Sequence, residues 1–295
     1  DPRDGRILAR ATWVEVIAKA AVLDAEGRVQ VAIAGRQGGE PLRAVVAEGM
    51  ADPGRASLGF AEVPAHRRLY ALPGGRMIGA RTGPGASVWT PDRAERLEFM
   101  KDQLTDLAAL DTFAVFLTER PVAAGLVDLA ADPVELGRCP APAAIATALA
   151  PPSPGSPHEP DALIVTPSLI ERVHLSDCAL VGLYAAPGHE LTKAIASHDG
   201  RFVFAGTRAG SVLVWRDDGA LVGLVDLHRA AVTSLALDPA GTTLYTGAWD
   251  GHLSTLDLAT FDTPRAALVD AIRNAWEPGP TADGTESLAA PRRSP

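Results

Sequence analysis

Seven histidines, two cysteines and 36 acidic residues are the side chains in this chain best suited to chemistry, and their spacing argues against most of it. No His-x-x-x-His or Cys-x-x-Cys pair occurs, so local spacing encodes no metal centre. The carboxylates lack the alternation of a calcium loop. Gly83-Pro84-Gly85-Ala86-Ser87 sets a serine beside glycines but lacks the Gly-x-Ser-x-Gly frame that lifts a nucleophile onto a strained turn. Neither that stretch nor Gly74-Gly75 is followed by Lys-Ser or Lys-Thr, so no phosphate loop is present and the glycines read as turn residues. An active site gathered from several repeated units would leave no local motif.

The two cysteines, Cys139 and Cys178, read first as small buried hydrophobes. The alternative is a disulfide between neighbouring units, which requires an oxidising compartment. The chain does not begin with Met, which is expected of a processed or partial chain. The expected location is cytoplasmic, with a periplasmic or secreted placement as the alternative.

Composition narrows the class. The 295 residues carry a net charge of −9 with signs interspersed, so no overall basic footprint points to nucleic acid. No run approaches the roughly 18 apolar residues of a membrane span. The sole asparagine, Asn274, is followed by Ala275-Trp276 and offers no glycosylation sequon.

What positions the remaining candidates is a repeat. Ala179-Leu180-Val181-Gly182-Leu183 returns unchanged 41 residues later as Ala220-Leu221-Val222-Gly223-Leu224. The same offset carries Gly200 onto Gly241, Gly206 onto Gly247 and Gly210 onto Gly251. A period near 40 with glycines in register marks stacked units that cannot bury their apolar faces alone. Residues 228–258 read as strand, Asp238-Pro239-Ala240-Gly241 turn, strand, Trp249-Asp250-Gly251 turn, strand. Residues 191–215 repeat the plan, and 219–225 add a fourth strand. Residues 104–129, 68–90 and 15–46 are weaker copies. Strands are expected at 144–149, 163–166 and 170–175, with the Pro-rich stretch 150–161 as loop. A rival reading takes Thr90-Pro91 as a helix start, with Leu97, Met100, Leu104, Leu107 and Leu110 at helical spacing over 91–110.

The unit 228–258, and less fully 191–227, resembles the WD40 repeat. That resemblance implies an all-β fold, a β-propeller of four-stranded antiparallel blades, six to seven in number. It assigns residues 1–276 to the propeller, best defined over 179–260, and leaves 277–295 as a disordered tail. Ile7 to Trp13 is a candidate for closing the ring. His228, Thr246 and Asp250 fall on the family's buried hydrogen-bonding positions, a set tolerable only as a satisfied network. The family's tryptophan is Leu256 in this unit, while the preceding unit has it as Trp215 but lacks the aspartates. His228, Thr246, Asp250 and Trp215 are therefore the expected structural residues, and Trp249, Arg208 and Arg229 the expected partner-binding rim, since aromatics and Arg dominate binding hot spots. The function implied is a non-catalytic protein–protein interaction scaffold within a larger assembly, with a protein or peptide partner, no cofactor and no metal. The alternative is a propeller enzyme, a hydrolase or lyase, with its site at the channel mouth.

Overall fold

The computed structural model describes residues 101–262 apart from 131–132, 154–158 and 239, and before them the strands between residues 16 and 96 together with Pro84 and Gly85. Three strands open the chain, β1 (Val16–Leu23), β2 (Val29–Gln37) and β3 (Glu40–Arg43), followed by the short pair β4 (Val46–Glu48) and β5 (Ser57–Gly59). Four-stranded sheets then follow one another: β6 (His66–Leu72), β7 (Arg76–Arg81), β8 (Ala86–Thr90) and β9 (Arg93–Arg96); β10 (Leu104–Leu110), β11 (Phe113–Thr118), β12 (Ala123–Asp128) and β13 (Val134–Pro140). Next come β14 (Ala146–Ala150), β15 (Asp161–Val165), β16 (Leu169–His174) and β17 (Ala179–Ala185), and then β18 (Leu191–Ala196), β19 (Phe202–Thr207), β20 (Ser211–Arg216) and β21 (Leu221–Asp226). A three-stranded sheet, β22 (Val232–Leu237), β23 (Thr243–Ala248) and β24 (Leu253–Asp257), leads into the short helix α1 (Ala259–Asp262). Within each sheet every strand pairs with the next in sequence, antiparallel throughout.

These sheets form the blades of a β-propeller. The first strands β6, β10, β14, β18 and β22 touch in succession. Asp106 on β10 is ion-paired at 2.7 Å with Lys193 on β18, two blades away, and accepts a hydrogen bond from the Thr147 amide on β14 at 2.9 Å. A side chain reaches a blade two removed only where the first strands converge on a common axis.

Packing between blades explains the near-continuous apolar strands of the three sheets from β10 to β21, because both faces of their inner strands are covered. Along β19, Phe202 and Phe204 pack toward the β22–β24 sheet, while Val203 and Ala205 pack toward the preceding blade. Along β15, Ala162 and Ile164 face back and Leu163 and Val165 face forward. Each of these three blades shares its core with its neighbours, so they are stable only as a stack.

Strands β9 and β10 occupy most of 91–110, so the helical alternative does not form there; Leu97 and Met100 lie outside the described residues. Among the described residues four sheets have four strands, two have three and one is a pair, where the repeat led to an expectation of four throughout. Ile7 to Trp13 and the segment 277–295 lie outside the described residues. Cys139 and Cys178 are joined in a disulfide, which corrects the reading of two separate buried thiols. The bridge ties β13 to the β16–β17 turn of the next blade. Gly137 marks how closely these blades approach, since a Cβ there would stand 2.0 Å from the Leu175 carbonyl oxygen.

Candidate functional site

The rim is built from turns. At the end of β23 the chain reverses through Trp249-Asp250-Gly251, with Gly251 at φ +77°, a conformation that costs glycine nothing. Asp250 locks this turn. Its Oδ1 accepts from the His252 amide at 3.0 Å, and its Oδ2 accepts from the Arg229 amide, in the loop before β22, at 2.9 Å. The Arg229 amide foremost, then the His252 amide, hold the Asp250 carboxyl below the usual carboxylate value against a desolvation that raises it, and the nearby His228 and His252 add to the lowering.

Behind the turn, the His228 imidazole is buried. Its Nε2 lies 2.7 Å from Thr246 Oγ1 on β23, and its Nδ1 lies 3.4 Å from Asp250 Oδ1, an electrostatic contact without hydrogen-bond alignment. The Thr246 hydroxyl is also 3.4 Å from the Ser254 carbonyl. The shorter contact assigns the threonine as donor to Nε2, with the Nδ1 proton turned toward the carboxylate; the opposite tautomer would set a lone pair against it. Where the family pattern has a tryptophan, Thr246 meets only backbone, and Leu256 packs with the apolar cluster between blades.

Trp215 does not join His228, Thr246 and Asp250, which corrects its placement in that group. Its indole Nε1 donates to the Ala185 carbonyl at 3.1 Å, and its ring meets Tyr184 edge-on at 6.2 Å. It welds the β18–β21 blade to the one before.

The three rim candidates do share one edge. The 208–210 turn meets the next loop at Gly210, whose carbonyl accepts the His228 amide at 3.0 Å. A Cβ on Gly210 would stand 2.3 Å from the His228 carbonyl oxygen, so this contact requires glycine. The loop then holds the 249–251 turn through Asp250 and through the Trp249 amide, which donates to Ala231 at 3.0 Å. Arg208, Arg229 and Trp249 thus sit on three successive, touching turns. Trp249 is 79% exposed. Arg208 extends into solvent and pairs with Glu190 at 2.5 Å.

Sequence reasoning missed one polar cluster. Asp161 on β15 is fully buried, with Oδ2 accepting from Arg172 Nε at 2.7 Å and Oδ1 3.4 Å from His174 Nδ1. Glu159 Oε2 lies 3.9 Å from His174 Nε2. These residues meet across the β15–β16 hairpin, a register no linear spacing reveals. The two carboxylates approach opposite sides of the ring, which does not suit a shared metal. Among the described residues no group of three His, Cys, Asp or Glu side chains is placed to hold a metal ion.

Residues 219–254 match the family model described as WD domain, G-beta repeat. Among solved structures, the β-propeller domain of Cps50 (Swd1) from Myceliophteria thermophila is similar at a TM-score of 0.56 and 15% identity, covering 70% of this chain and 69% of that one. No curated protein matches the sequence. Solved chains that match number 1239, too broad a set for the fold to name a partner.

Proposed function

We propose that this β-propeller, in which residues 219–254 match the WD40 repeat model, acts as a non-catalytic protein–protein interaction scaffold within a larger assembly, offering the rim of Trp249, Arg229 and Arg208 to a protein or peptide partner. One observation carries this reading: an indole 79% exposed on a turn that Asp250 holds from two sides. An aromatic ring displayed on a rigid support binds at low entropic cost, since little further ordering is needed when it is covered. Two guanidinium groups on the adjoining turns favour a partner segment with an apolar side chain flanked by carboxylates.

The test compares affinity capture from the source cell by the unmodified protein and by Trp249→Ala, with thermal unfolding measured on both. Loss of the captured partner at unchanged melting temperature supports the reading. A large fall in melting temperature makes Trp249 a packing residue instead. As for compartment, the Cys139–Cys178 bridge supports the periplasmic or secreted alternative, because disulfides persist where the redox environment is oxidising. Thiol labelling of denatured protein drawn directly from cells checks it; two free thiols without reductant would return the chain to the cytoplasm.

A further inference from the structure

The Cys139–Cys178 bridge is unequal at its two ends. Cys139 lies on β13 and is 2% exposed, with Sγ 3.4 Å from the Leu175 carbonyl oxygen. Cys178 lies on the turn between β16 and β17 and is exposed, with Sγ 3.8 Å from the Arg138 carbonyl oxygen. A thiolate opens a disulfide by attacking one sulfur and displacing the other, so access decides which sulfur is attacked. Of the two, only Cys178 is open to solvent.

The repeat shows what is unusual about a cysteine at this turn. One period on, Asp177-Cys178-Ala179 becomes Asp218-Gly219-Ala220. The two turns are built alike: Asp177 Oδ1 accepts from the Ala179 amide at 3.0 Å, and Asp218 Oδ1 from the Ala220 amide at 2.9 Å. Both central residues are left-handed, Gly219 at φ +83° and Cys178 at φ +59°. Glycine takes that conformation freely, while a residue with a Cβ is strained in it. Cys178 therefore occupies a glycine position, held there by its bond to Cys139, and scission lets the turn relax.

Opening the bridge does not part the blades. Val115, Leu126, Ile164 and Val173 pack between them, and Gly137 abuts the Leu175 backbone. These contacts keep Cys139 covered after the bond breaks, with the Leu175 carbonyl beside it as an acceptor for the S–H. A buried thiol stays protonated and attacks disulfides poorly, so Cys139 is slow to expel an adduct from Cys178.

We propose that Cys178 is a site of modification by low-molecular-weight thiols in the folded protein, with Cys139 as the leaving sulfur. The incoming thiol gives up its proton, and its thiolate attacks Cys178 Sγ. A new S–S bond forms there as the Cys139–Cys178 bond breaks. The electron pair of the broken bond leaves on Cys139, whose thiolate takes up a proton. One disulfide is exchanged for another: the attacking sulfur is oxidised and Cys139 is reduced, with no further oxidant.

The test treats the intact, folded protein with excess reduced glutathione, quenches with acid, and maps the adduct by mass after digestion in acid. The adduct is expected on Cys178 at least about tenfold over Cys139, and is expected to form faster than the protein unfolds. Two variants separate the sulfurs. Cys178 in Cys139→Ser should react with oxidised glutathione at least about tenfold faster than Cys139 in Cys178→Ser, and denaturant should bring the two rates together. Thermal unfolding shows whether each variant is folded; if either is not, the unmodified protein decides alone. An adduct shared equally by both cysteines, or carried by Cys139, would overturn the proposal. Absence of any adduct, exchange no faster than global unfolding, or equal rates in the two folded variants would overturn it as well.

Discussion

Replacing Cys139 with Ala and Cys178 with Ser removes the covalent link between β13 and the next blade, and the loss can be sized from the chain it closes. The two residues are separated by 39 positions. For a loop of that length the chain-entropy model gives about −13 cal/mol/K, or about 4 kcal/mol at 25 °C, with measured bridges usually at 2–4 kcal/mol. The native contact does not depend on the bridge. Gly137 already packs against the Leu175 backbone, and Val115, Leu126, Ile164 and Val173 fill the same interface. The loss therefore falls mainly on the unfolded state, which regains the freedom to separate the two blades. A destabilisation of about 3 kcal/mol corresponds to roughly 5 °C in melting temperature for a chain of 295 residues, at about 2.1 cal/mol/K of unfolding entropy per residue. Thermal unfolding with and without reductant provides the assay. Reductant should lower the unmodified protein by about the same amount as the double substitution, and should leave the substituted protein where it is. A variant melting within about a degree of the unmodified protein would refute the entropic account. A further drop on adding reductant to the variant would show that the effect is not the bridge.

Thr246→Val removes the hydroxyl that faces His228 Nε2 in a buried setting, and should cost about 1–3 kcal/mol in denaturant unfolding, since it leaves the imidazole nitrogen unpaired. Asp250 sits below its unfolded carboxylate value, so its stabilisation is present above about pH 4 and is lost as pH falls through the lower folded value. The difference in melting temperature between the unmodified protein and Asp250→Asn should therefore shrink between pH 6 and pH 3; a constant difference would mean the charge is not what holds the turn. Asp106→Ala leaves the Lys193 ammonium without its 2.7 Å partner and the Thr147 amide without an acceptor, at a cost of about 3 kcal/mol read by equilibrium unfolding. Adding Lys193→Met should recover part of that loss.

The register of the repeat was legible in the residues themselves. Glycines 41 apart reappear as positive-φ turn residues, Gly200 and Gly241 in one turn and Gly210 and Gly251 in the other, because only glycine takes that conformation without strain. The strands of 191–258 follow from the runs between those turns, and the strands expected at 144–149, 163–166 and 170–175 lie within two residues of β14, β15 and β16. Where turn glycines thin out the pattern fades. Strand β13 begins after Asp132-Pro133 and carries Gly137 inside it, so nothing local separates it from a loop.

The rim was legible in its members and not in its assembly. That Trp249 stands on a turn follows from Asp250-Gly251 beside it. That Arg208 and Arg229 share its edge depends on Gly210 meeting the His228 backbone in the neighbouring blade.

What the sequence determined alone is the local unit: its period, its turns and the apolar strands between them. Everything that joins units belongs to the tertiary structure. The Cys139–Cys178 bridge, the Asp106–Lys193 pair and the placing of Trp215 against Ala185 all connect different blades. Spacing along a chain constrains neighbours a few residues apart through fixed bond geometry. It carries no such constraint on residues 30 to 90 positions apart, whose meeting is decided only when blades pack around the axis.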